Sequence, residues 1–148
     1  MAHRYPLSLA WTGNTLDGAY NRDAIVTSPG KPPLAVSSAP EYAGNPARWN
    51  PEDLLGSALA TCHMLTFLAL CAKAKVEVLG YEDPAEAVLD TVDKVTRVTQ
   101  VHLRPLIRVT RGTSMAKVLE LFERAHKYCF VANSVTCEAV LAPRVVEV

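Results

Sequence analysis

Residues 50–64 read NPEDLLGSALATCHM, and no side chain from Leu54 to Ala72 carries a formal charge. Asparagine is a favoured helix N-cap, and proline suits the first helical position. Glu52 and Asp53 place negative charge at the positive end of the helix dipole, and Lys73 and Lys75 place positive charge at the other end. The stretch therefore predicts one helix of about six turns with both ends defined.

An uncharged run of this length must be compared with a membrane span, which needs about 20 mostly apolar residues. Polar side chains lie in its middle, among them Ser57, Thr61 and Thr66, and strand-like segments flank it on both sides. We therefore expect an apolar helix wrapped by sheet inside a globular core, rather than a segment in a membrane.

The spacing within this helix predicts which residues share a face. Leu54, Ala58, Cys62, Leu65 and Ala69 recur at helical intervals and form the expected apolar stripe. Cys71 follows Cys62 by nine residues, which is about 180° around a helix. The two thiols are therefore predicted to face opposite ways.

The composition limits the possible classes of protein. The 148 residues carry 15 basic and 15 acidic side chains, intermixed along the chain, so nothing favours binding to nucleic acid or to an anionic membrane. We expect a single domain, residues 1–148. The first residues contain no apolar signal core, so we expect a cytoplasmic protein. In that reducing compartment, four cysteines suggest buried thiols or redox chemistry rather than structural disulfides.

Strand patterns precede the helix. Residues 5–11 alternate as a half-buried strand, a turn follows, and residues 18–27 can return as a second strand. A proline-rich connection then runs from Ser28 to Pro51 with one short strand candidate, residues 34–37. A connection of this length in a small domain often covers a site.

After the helix, the pattern predicts strands, a second helix and a final strand. Residues 76–79 are extended, and residues 85–92 and 95–110 form two strands joined tightly at Asp93-Lys94. Pro105 interrupts the second of these and indicates an edge position or a bulge. Ser114 caps the second helix, and residues 136–148 form the last strand. The stripe of the second helix is Val118, Phe122, Ala125 and Cys129. The order of elements predicts an α+β fold.

Two cysteines, Cys62 and Cys129, lie on the predicted apolar stripes of the two helices. Their thiols could meet if the helices pack together, but spacing alone favours two small core residues, because free cysteine is commonly buried. A Cys2His2 metal site formed with His63 and His126 is less favourable. Adjacent helical residues point about 100° apart, so Cys62 and His63 cannot both comfortably bind one ion.

The remaining candidates are expected to be structural. His63 is expected to be a core histidine with its hydrogen bonds satisfied, and Cys71 and Cys137 are expected to be simple packing residues.

The helix motif resembles that of the OsmC/Ohr family, the osmotically inducible and organic hydroperoxide resistance proteins. The N-P-E-x-L entry at Asn50–Leu54 matches, as does the cysteine ten residues after the glutamate. Residues 125–129, AHKYC, followed by Ser134, resemble the family's second cysteine on the later helix. The resemblance covers essentially the whole chain and implies antiparallel sheets around a long central helix, in an intertwined homodimer with sites at its interface.

The resemblance also implies a function. Family members are thiol peroxidases that reduce organic hydroperoxides. Cys62 would be the peroxidatic thiolate, Cys129 the resolving cysteine, and Glu52 the carboxylate that pairs with an active-site arginine. Arg22 resembles that arginine, and Arg48 is its competitor.

Two positions depart from the family pattern. Phe130 follows the second cysteine where proline is common, and His63 stands where an aromatic residue is common.

Physical reasoning favours an arginine near Cys62. A free cysteine has a pKa of about 8.5, and burial in an apolar stripe would raise it. Cys62 lies three turns into its helix, beyond the effect of the dipole. We therefore expect a cation to be brought to this thiol, with Arg22 as the best candidate.

The resemblance thus implies a peroxidase that cycles through a Cys62 sulfenic acid and a Cys62–Cys129 disulfide, which an external dithiol reduces, with lipoyl dithiols as the family precedent. No cofactor, metal or flavin is required, and an apolar lining would favour bulky organic hydroperoxides. The alternative is a non-catalytic OsmC-like domain for redox sensing or small-molecule binding.

Overall fold

A computed structural model describes all residues from Met1 to Val148. The chain divides into two compact units, Met1–Leu54 and Leu55–Val148, and each is described by itself. The single domain expected from the length therefore stays a prediction.

The first unit contains a small antiparallel sheet in the order β1-β2-β3. Its strands are β1 (Ser8–Ala10), β2 (Ala24–Thr27) and β3 (Leu34–Val36). The predicted first two strands are therefore too long. The expectation of a half-buried first strand is also wrong, because Tyr5, Leu7 and Leu9 are 83%, 70% and 65% exposed. Alternation along a strand shows that one face is apolar, but it does not show what covers that face.

The proline-rich connection folds back on itself after β3. The N–H of Ser37 donates to the carbonyl of Trp49 at 2.9 Å, and the N–H of Asn45 donates to Ser37 Oγ at 3.0 Å. A 3₁₀ helix at Pro40–Tyr42 lies between these contacts. Ser37 and Ala39 are the buried residues of this unit.

Helix α1 (Pro51–Lys73) begins and ends where the sequence predicts. The N–H of Asp53 donates to Asn50 Oδ1 at 2.8 Å, and the N–H of Asn50 donates to Asp53 Oδ2 at 3.1 Å, so the two residues cap the helix reciprocally. By length and composition α1 could also cross a membrane, but core helices meet the same criterion, so this is weak evidence.

The predicted stripe of α1 is wrong. Leu65, expected inside, is 57% exposed, and Ala58 and Ala69 are also exposed. The residues that are buried are Gly56, Leu59, His63, Phe67 and Cys71. An uncharged helix has no polar face to mark its outside, so several rows of small and apolar residues fit the helical period equally well.

The second unit contains two three-stranded sheets, β4-β7-β9 and β5-β6-β8. The elements that follow α1 are β4 (Val78–Glu82), β5 (Glu86–Val92), β6 (Val95–Leu103), β7 (Leu106–Val109), α2 (Met115–Tyr128), β8 (Glu138–Leu141) and β9 (Arg144–Glu147). The β4–β7 and β5–β6 pairs are antiparallel, as expected. β6–β8 and β7–β9 are parallel, because α2 acts as a crossover before the chain returns to each sheet.

The prediction for Pro105 is wrong, because it occupies neither an edge strand nor a bulge. β6 and β7 are the central strands of their sheets, and Pro105 is buried between them, where the chain leaves one sheet for the other. The predicted last strand is likewise two strands, separated by Ala142 and Pro143. Each proline lacks an N–H and so ends a ladder where the chain changes sheets.

Several local predictions are confirmed. Asp93 and Lys94 have φ values of +52° and +66° and form the tight β5–β6 turn. The N–H of Lys117 donates to Ser114 Oγ at 3.2 Å, which caps α2. The α2 stripe of Val118, Phe122, Ala125 and Cys129 is buried.

Two apolar clusters form the core of the second unit. The larger includes Phe67 and Cys71 of α1 with the buried face of α2 and strand β7. The smaller consists of Leu59, Val101, Leu103 and Cys129, with Cys62 and Cys137 packed against it. Cys71 thus lies in one apolar environment, and Cys62, Cys129 and Cys137 lie in the other.

Candidate active site

Cys62 and Cys129 are brought together in the smaller apolar cluster. Cys62 lies half-buried on α1, and Cys129 is fully buried directly after the last turn of α2. Their side chains hydrogen bond to each other, and both thiols are free. The prediction that these thiols can meet is confirmed.

The loop after α2 directs backbone N–H groups at both sulfur atoms. The N–H groups of Phe130 and Val131 hydrogen bond to the Cys62 thiol. The next N–H, that of Ala132, donates to Cys129 Sγ at 3.4 Å. Three consecutive residues therefore donate to the dithiol pair.

These donors decide the protonation of Cys62. Burial raises the pKa of the Cys62 thiol, but hydrogen bonds from Val131, Cys129, Phe130 and Thr66 outweigh burial and lower the pKa below its ordinary value. The proton of the Thr66 hydroxyl already donates to the Cys62 carbonyl at 2.8 Å, so the backbone donors matter more. Cys62 is the thiol of the pair that ionises first.

The pKa of Cys129 moves in the opposite direction. Burial raises it, and both the hydrogen bond to Cys62 and the negative charge on Cys62 raise it further, against lowering by the N–H groups of Ala132 and Val131. When the pair loses its first proton, Cys62 therefore releases it and Cys129 keeps the other.

The expectation that a cation is brought to Cys62 stays a prediction, but a cation is not the sole influence that lowers the pKa of this thiol. The second unit lowers the pKa of this thiol through its own hydrogen bonds. Sequence reasoning missed the donors because they are main-chain N–H groups, which every residue except proline carries. The one available signal was a cysteine at a helix end, followed by residues that turn the chain.

Cys71 lies in a different environment. It is buried in the larger cluster, and burial raises its pKa to about 11. The prediction that Cys62 and Cys71 face opposite ways is confirmed, because α1 is one continuous helix in which nine residues span about 180°.

His63 is a core residue, as expected, but its hydrogen bonds are not satisfied. The side chain is fully buried, and neither ring nitrogen has a hydrogen-bond partner. Its ring lies 4.4 Å from that of Phe122 and 6.4 Å from that of His126, measured between centroids. Burial, together with the charge of His126, lowers the pKa of His63 to about 4.

No group of three or more His, Cys, Asp or Glu side chains in the chain is placed to hold a metal ion. His63 is buried and His126 is exposed, and their rings approach only to the separation given above.

The two candidate arginines lie in the first unit, in different surroundings. Arg22 stacks over the Tyr20 ring at 4.1 Å and donates to the Tyr20 carbonyl at 2.8 Å, without a carboxylate partner. Arg48 pairs with Asp23, with Nε 3.3 Å from Oδ2. The charge of Arg48 is therefore compensated, whereas that of Arg22 is not.

Glu52 lies in the first turn of α1. Its carboxylate is half-buried and forms no ion pair within the chain. The chain thus contains an uncompensated guanidinium and an uncompensated carboxylate at the two positions that the family resemblance singles out.

A thiol whose pKa is lowered, beside a second thiol whose pKa is raised, defines a dithiol site of the kind that can cycle between thiols and disulfide. The chain belongs to the OsmC-like protein family, whose model matches residues 44–142. The resemblance seen in the sequence is confirmed.

Two relatives show how far the similarity extends. The chain is 26% identical over 133 residues to the uncharacterised protein YmaD of Bacillus subtilis, which covers 89% of this chain and 81% of the relative. An OsmC-like protein of unknown function from Vibrio cholerae has a structure with a TM-score of 0.88 and 28% identity, covering 97% of this chain and all of the other.

An organic hydroperoxide resistance protein from Elizabethkingia anophelis shares the fold. Its structure has a TM-score of 0.72 and 19% identity, and the two chains cover each other completely. At this identity the similarity establishes the fold alone. The α+β, OsmC-like architecture is therefore confirmed.

Proposed function

We propose that this protein is a thiol-dependent peroxidase that reduces organic hydroperoxides to alcohols. The observation that carries the proposal is the pair formed by Cys62 and Cys129 in one apolar cluster, in which the pKa of Cys62 is lowered and that of Cys129 is raised. Membership of the OsmC-like family, and similarity in fold to proteins named for hydroperoxide resistance, support the same reaction class.

The first step is attack of the Cys62 thiolate on the terminal oxygen of the hydroperoxide. The O–O bond breaks, the alkoxide takes a proton and leaves as the alcohol, and Cys62 becomes a sulfenic acid. Sulfur is oxidised by two electrons and the peroxide is reduced by two. This step needs no group other than the thiolate and a proton donor.

The second step uses Cys129. Its thiolate attacks the sulfur of the sulfenic acid, water leaves, and a Cys62–Cys129 disulfide forms. The negative charge on Cys62 raises the pKa of Cys129 before the reaction. Oxidation of Cys62 to a neutral sulfenic acid removes that charge, so Cys129 loses its proton more easily at the stage when it must attack. An external dithiol, such as a lipoyl group, then reduces the disulfide.

Arg22 and Glu52 complete the proposed site. Arg22 is favoured over Arg48 because no carboxylate compensates its charge within the chain. Glu52 would hold this guanidinium beside the thiolate, where it can also bind the polar end of a hydroperoxide.

Helix geometry places the Glu52 of this site on a second subunit. Glu52 and Cys62 are ten residues apart on α1, hence about 15 Å along its axis, which is too far for a carboxylate to serve the thiol of its own chain. Two α1 helices that run antiparallel about a two-fold axis would bring the start of each near the middle of the other. We therefore propose an intertwined homodimer with two shared sites.

The surface of α1 supports this homodimer. Only 28% of the most apolar 18-residue stretch of α1 is buried. The exposed residues include an uncharged row at helical spacing: Ser57, Ala58, Thr61, Leu65, Ala69 and Ala72. An uncharged stripe of small and apolar residues is suited to close contact with a symmetry-related helix.

The apolar lining around the dithiol favours bulky organic hydroperoxides over hydrogen peroxide. Leu59, Val101 and Leu103 are fully buried beside the thiols. The balanced charge gives no reason to expect nucleic acid as a partner. We also propose a cytoplasmic location.

Intact mass spectrometry tests the proposal directly. The reduced protein is treated with one equivalent of cumene hydroperoxide, and its mass is measured under non-reducing conditions. We expect the loss of two hydrogens per chain in the native protein and in the Cys71→Ser control, with release of cumyl alcohol. An unchanged mass with the hydroperoxide intact would instead favour the alternative of a non-catalytic sensing or binding domain.

A further inference from the structure

We propose that the backbone N–H groups of Phe130 and Val131 form an anion cradle that stabilises the Cys62 thiolate, so that the main chain at position 130 is a working part of the active site. This inference deepens the proposed function and rests on it for its catalytic meaning. The cradle itself is a property of the dithiol pair and can be measured without any hydroperoxide.

The first observation is the direction of three consecutive peptide groups. Val131 and Ala132 pack in the same apolar cluster as Cys62 and Cys129, and the N–H of Ala132 donates to Cys129 Sγ at 3.4 Å. The N–H groups of Phe130 and Val131, the two residues before Ala132, act on the Cys62 thiol. Successive main-chain N–H groups that converge in this way bind negative charge in proteins. Sulfur becomes negative at this point when Cys62 ionises.

The second observation is that the opposite end of each of these peptides is fixed. The carbonyl of Cys129 accepts from the N–H of Asn133 at 3.1 Å. The carbonyl of Phe130 accepts from Ser134 Oγ at 2.7 Å, and that of Val131 accepts from the N–H of Ser134 at 2.9 Å. Each peptide therefore has its carbonyl bonded on one side and its N–H directed at sulfur on the other.

This arrangement means that the donors are in place before the thiol ionises. A preorganised dipole stabilises a charge more than a mobile one, because no reorientation is needed when the charge appears. The side chain of Asn133 adds a further tie, since its Nδ2 donates to the Lys127 carbonyl at 3.0 Å and joins the loop to the end of α2.

The third observation is that the side chain of Phe130 takes no part. It is 83% exposed, so the residue is held by its backbone bonds rather than by packing of its ring. Nearly any residue could supply the same N–H. Proline is the exception, because its ring nitrogen carries no hydrogen. A change to proline therefore removes one donor, and a change to alanine removes only the exposed ring.

The experiment compares Phe130→Pro with Phe130→Ala in the reduced full-length protein. The rate of iodoacetamide alkylation at Cys62 is followed across pH by peptide mass spectrometry, so that the other thiols do not contribute. We expect the midpoint of the profile to rise by roughly one unit in Phe130→Pro and to stay at its native value in Phe130→Ala. The backbone of Cys129, with φ −68° and ψ 117°, already lies in the region that a residue before proline adopts.

A second variant keeps the test decisive if proline disturbs the loop. A peptide of residues 129–148 with 3-phenyllactic acid at position 130 can be ligated at Cys129 to a thioester of residues 1–128. The resulting ester replaces only the N–H of residue 130 and keeps the phenyl ring. We expect the same rise in the Cys62 midpoint.

A native midpoint in the ester protein would overturn the cradle. This outcome is separate from failure of the peroxidase itself, because alkylation is measured without hydroperoxide. A native protein that leaves cumene hydroperoxide unchanged would contradict the proposed function, while the ester measurement would still decide whether the N–H of residue 130 stabilises the thiolate.

Discussion

Cys62 and Cys71 lie on the same helix and are nine residues apart, yet their thiols have opposite tendencies. Burial raises the pKa of both. At Cys62 the donors of the loop after α2 outweigh burial, whereas Cys71 is surrounded by hydrocarbon and its pKa rises to about 11. The comparison shows that the helix only fixes the directions of its thiols. The groups that face each thiol from other parts of the chain decide whether it can react.

Exchange of each thiol for a hydroxyl is the strongest test of this comparison. Cys62→Ser should lower peroxide consumption by more than about a hundredfold, because serine is not ionised at this site and is a weak nucleophile. Cys71→Ser should keep the native rate, as measured by loss of cumene hydroperoxide. Equal rates for Cys62→Ser and the native protein would refute the mechanism.

The second prediction separates the two members of the reactive pair. Cys129→Ser should allow one turnover and then stop, because no thiol remains to condense with the sulfenic acid. Dimedone should trap the sulfenic acid on Cys62, detected by mass spectrometry. Cys137, which packs against the same cluster, supplies the control, and Cys137→Ser should continue to turn over. Sustained turnover by Cys129→Ser would remove the resolving role from this residue.

His63 extends the comparison to an adjacent buried group. Its pKa in the folded protein is about 4, below the ordinary value of 6.5, so between these pH values the unfolded chain binds a proton that the folded protein does not. Stability should therefore fall as pH decreases from about 6.5 to 4, and the loss assigned to this residue is roughly 3 kcal/mol.

His63→Leu should remove that share of the pH dependence. Urea unfolding at pH 7 and pH 5 measures it, and His3→Gln, at an exposed position, should keep the native slope. The interpretation fails if His63→Leu and the native protein lose stability in parallel.

The fourth prediction asks how much of the difference between the two cysteines depends on charge. Arg22→Met should raise the pKa of Cys62 by about one unit, since an opposite charge within ~4–6 Å shifts a pKa by about 1–3. Arg48→Met is the matched control, because Arg48 is already paired with Asp23. The readout is the pH profile of iodoacetamide alkylation at Cys62. A shift in Arg48→Met alone would transfer the role to Arg48.

The smallest expected signal tests the shared site. Glu52→Ala and Cys62→Ser proteins, each inactive, are unfolded together and refolded as a mixture. Half of the dimers should be heterodimers with one intact site, so about a quarter of native activity should return. Each variant refolded alone is the control. A monomer in equilibrium sedimentation at micromolar concentration, or no recovery in the mixture, would contradict the shared-site homodimer.

Much of the fold could be predicted because local chemistry specifies it. The reciprocal cap of Asn50 and Asp53, the cap at Ser114, and the turn at Asp93-Lys94 all depend on side chains adjacent in sequence. The α2 stripe was predicted correctly because charged residues mark its outer face. The α1 stripe was not, because α1 has no charges along its length to mark an outside.

The candidate site divides in the same way. The sequence by itself determined that Cys62 lies on one helix and Cys129 on the apolar stripe of another, that Cys62 and Cys71 point apart, and that a cysteine follows an acidic helix start at the family's spacing. Each of these depends on intervals along one element. The tertiary structure alone decided that Cys62 ionises more readily than Cys129 and that His63 is buried without a partner. Those properties depend on backbone N–H groups and apolar neighbours brought from distant parts of the chain. The type of a residue does not determine the direction of its main-chain N–H, so the sequence alone could not predict these contacts.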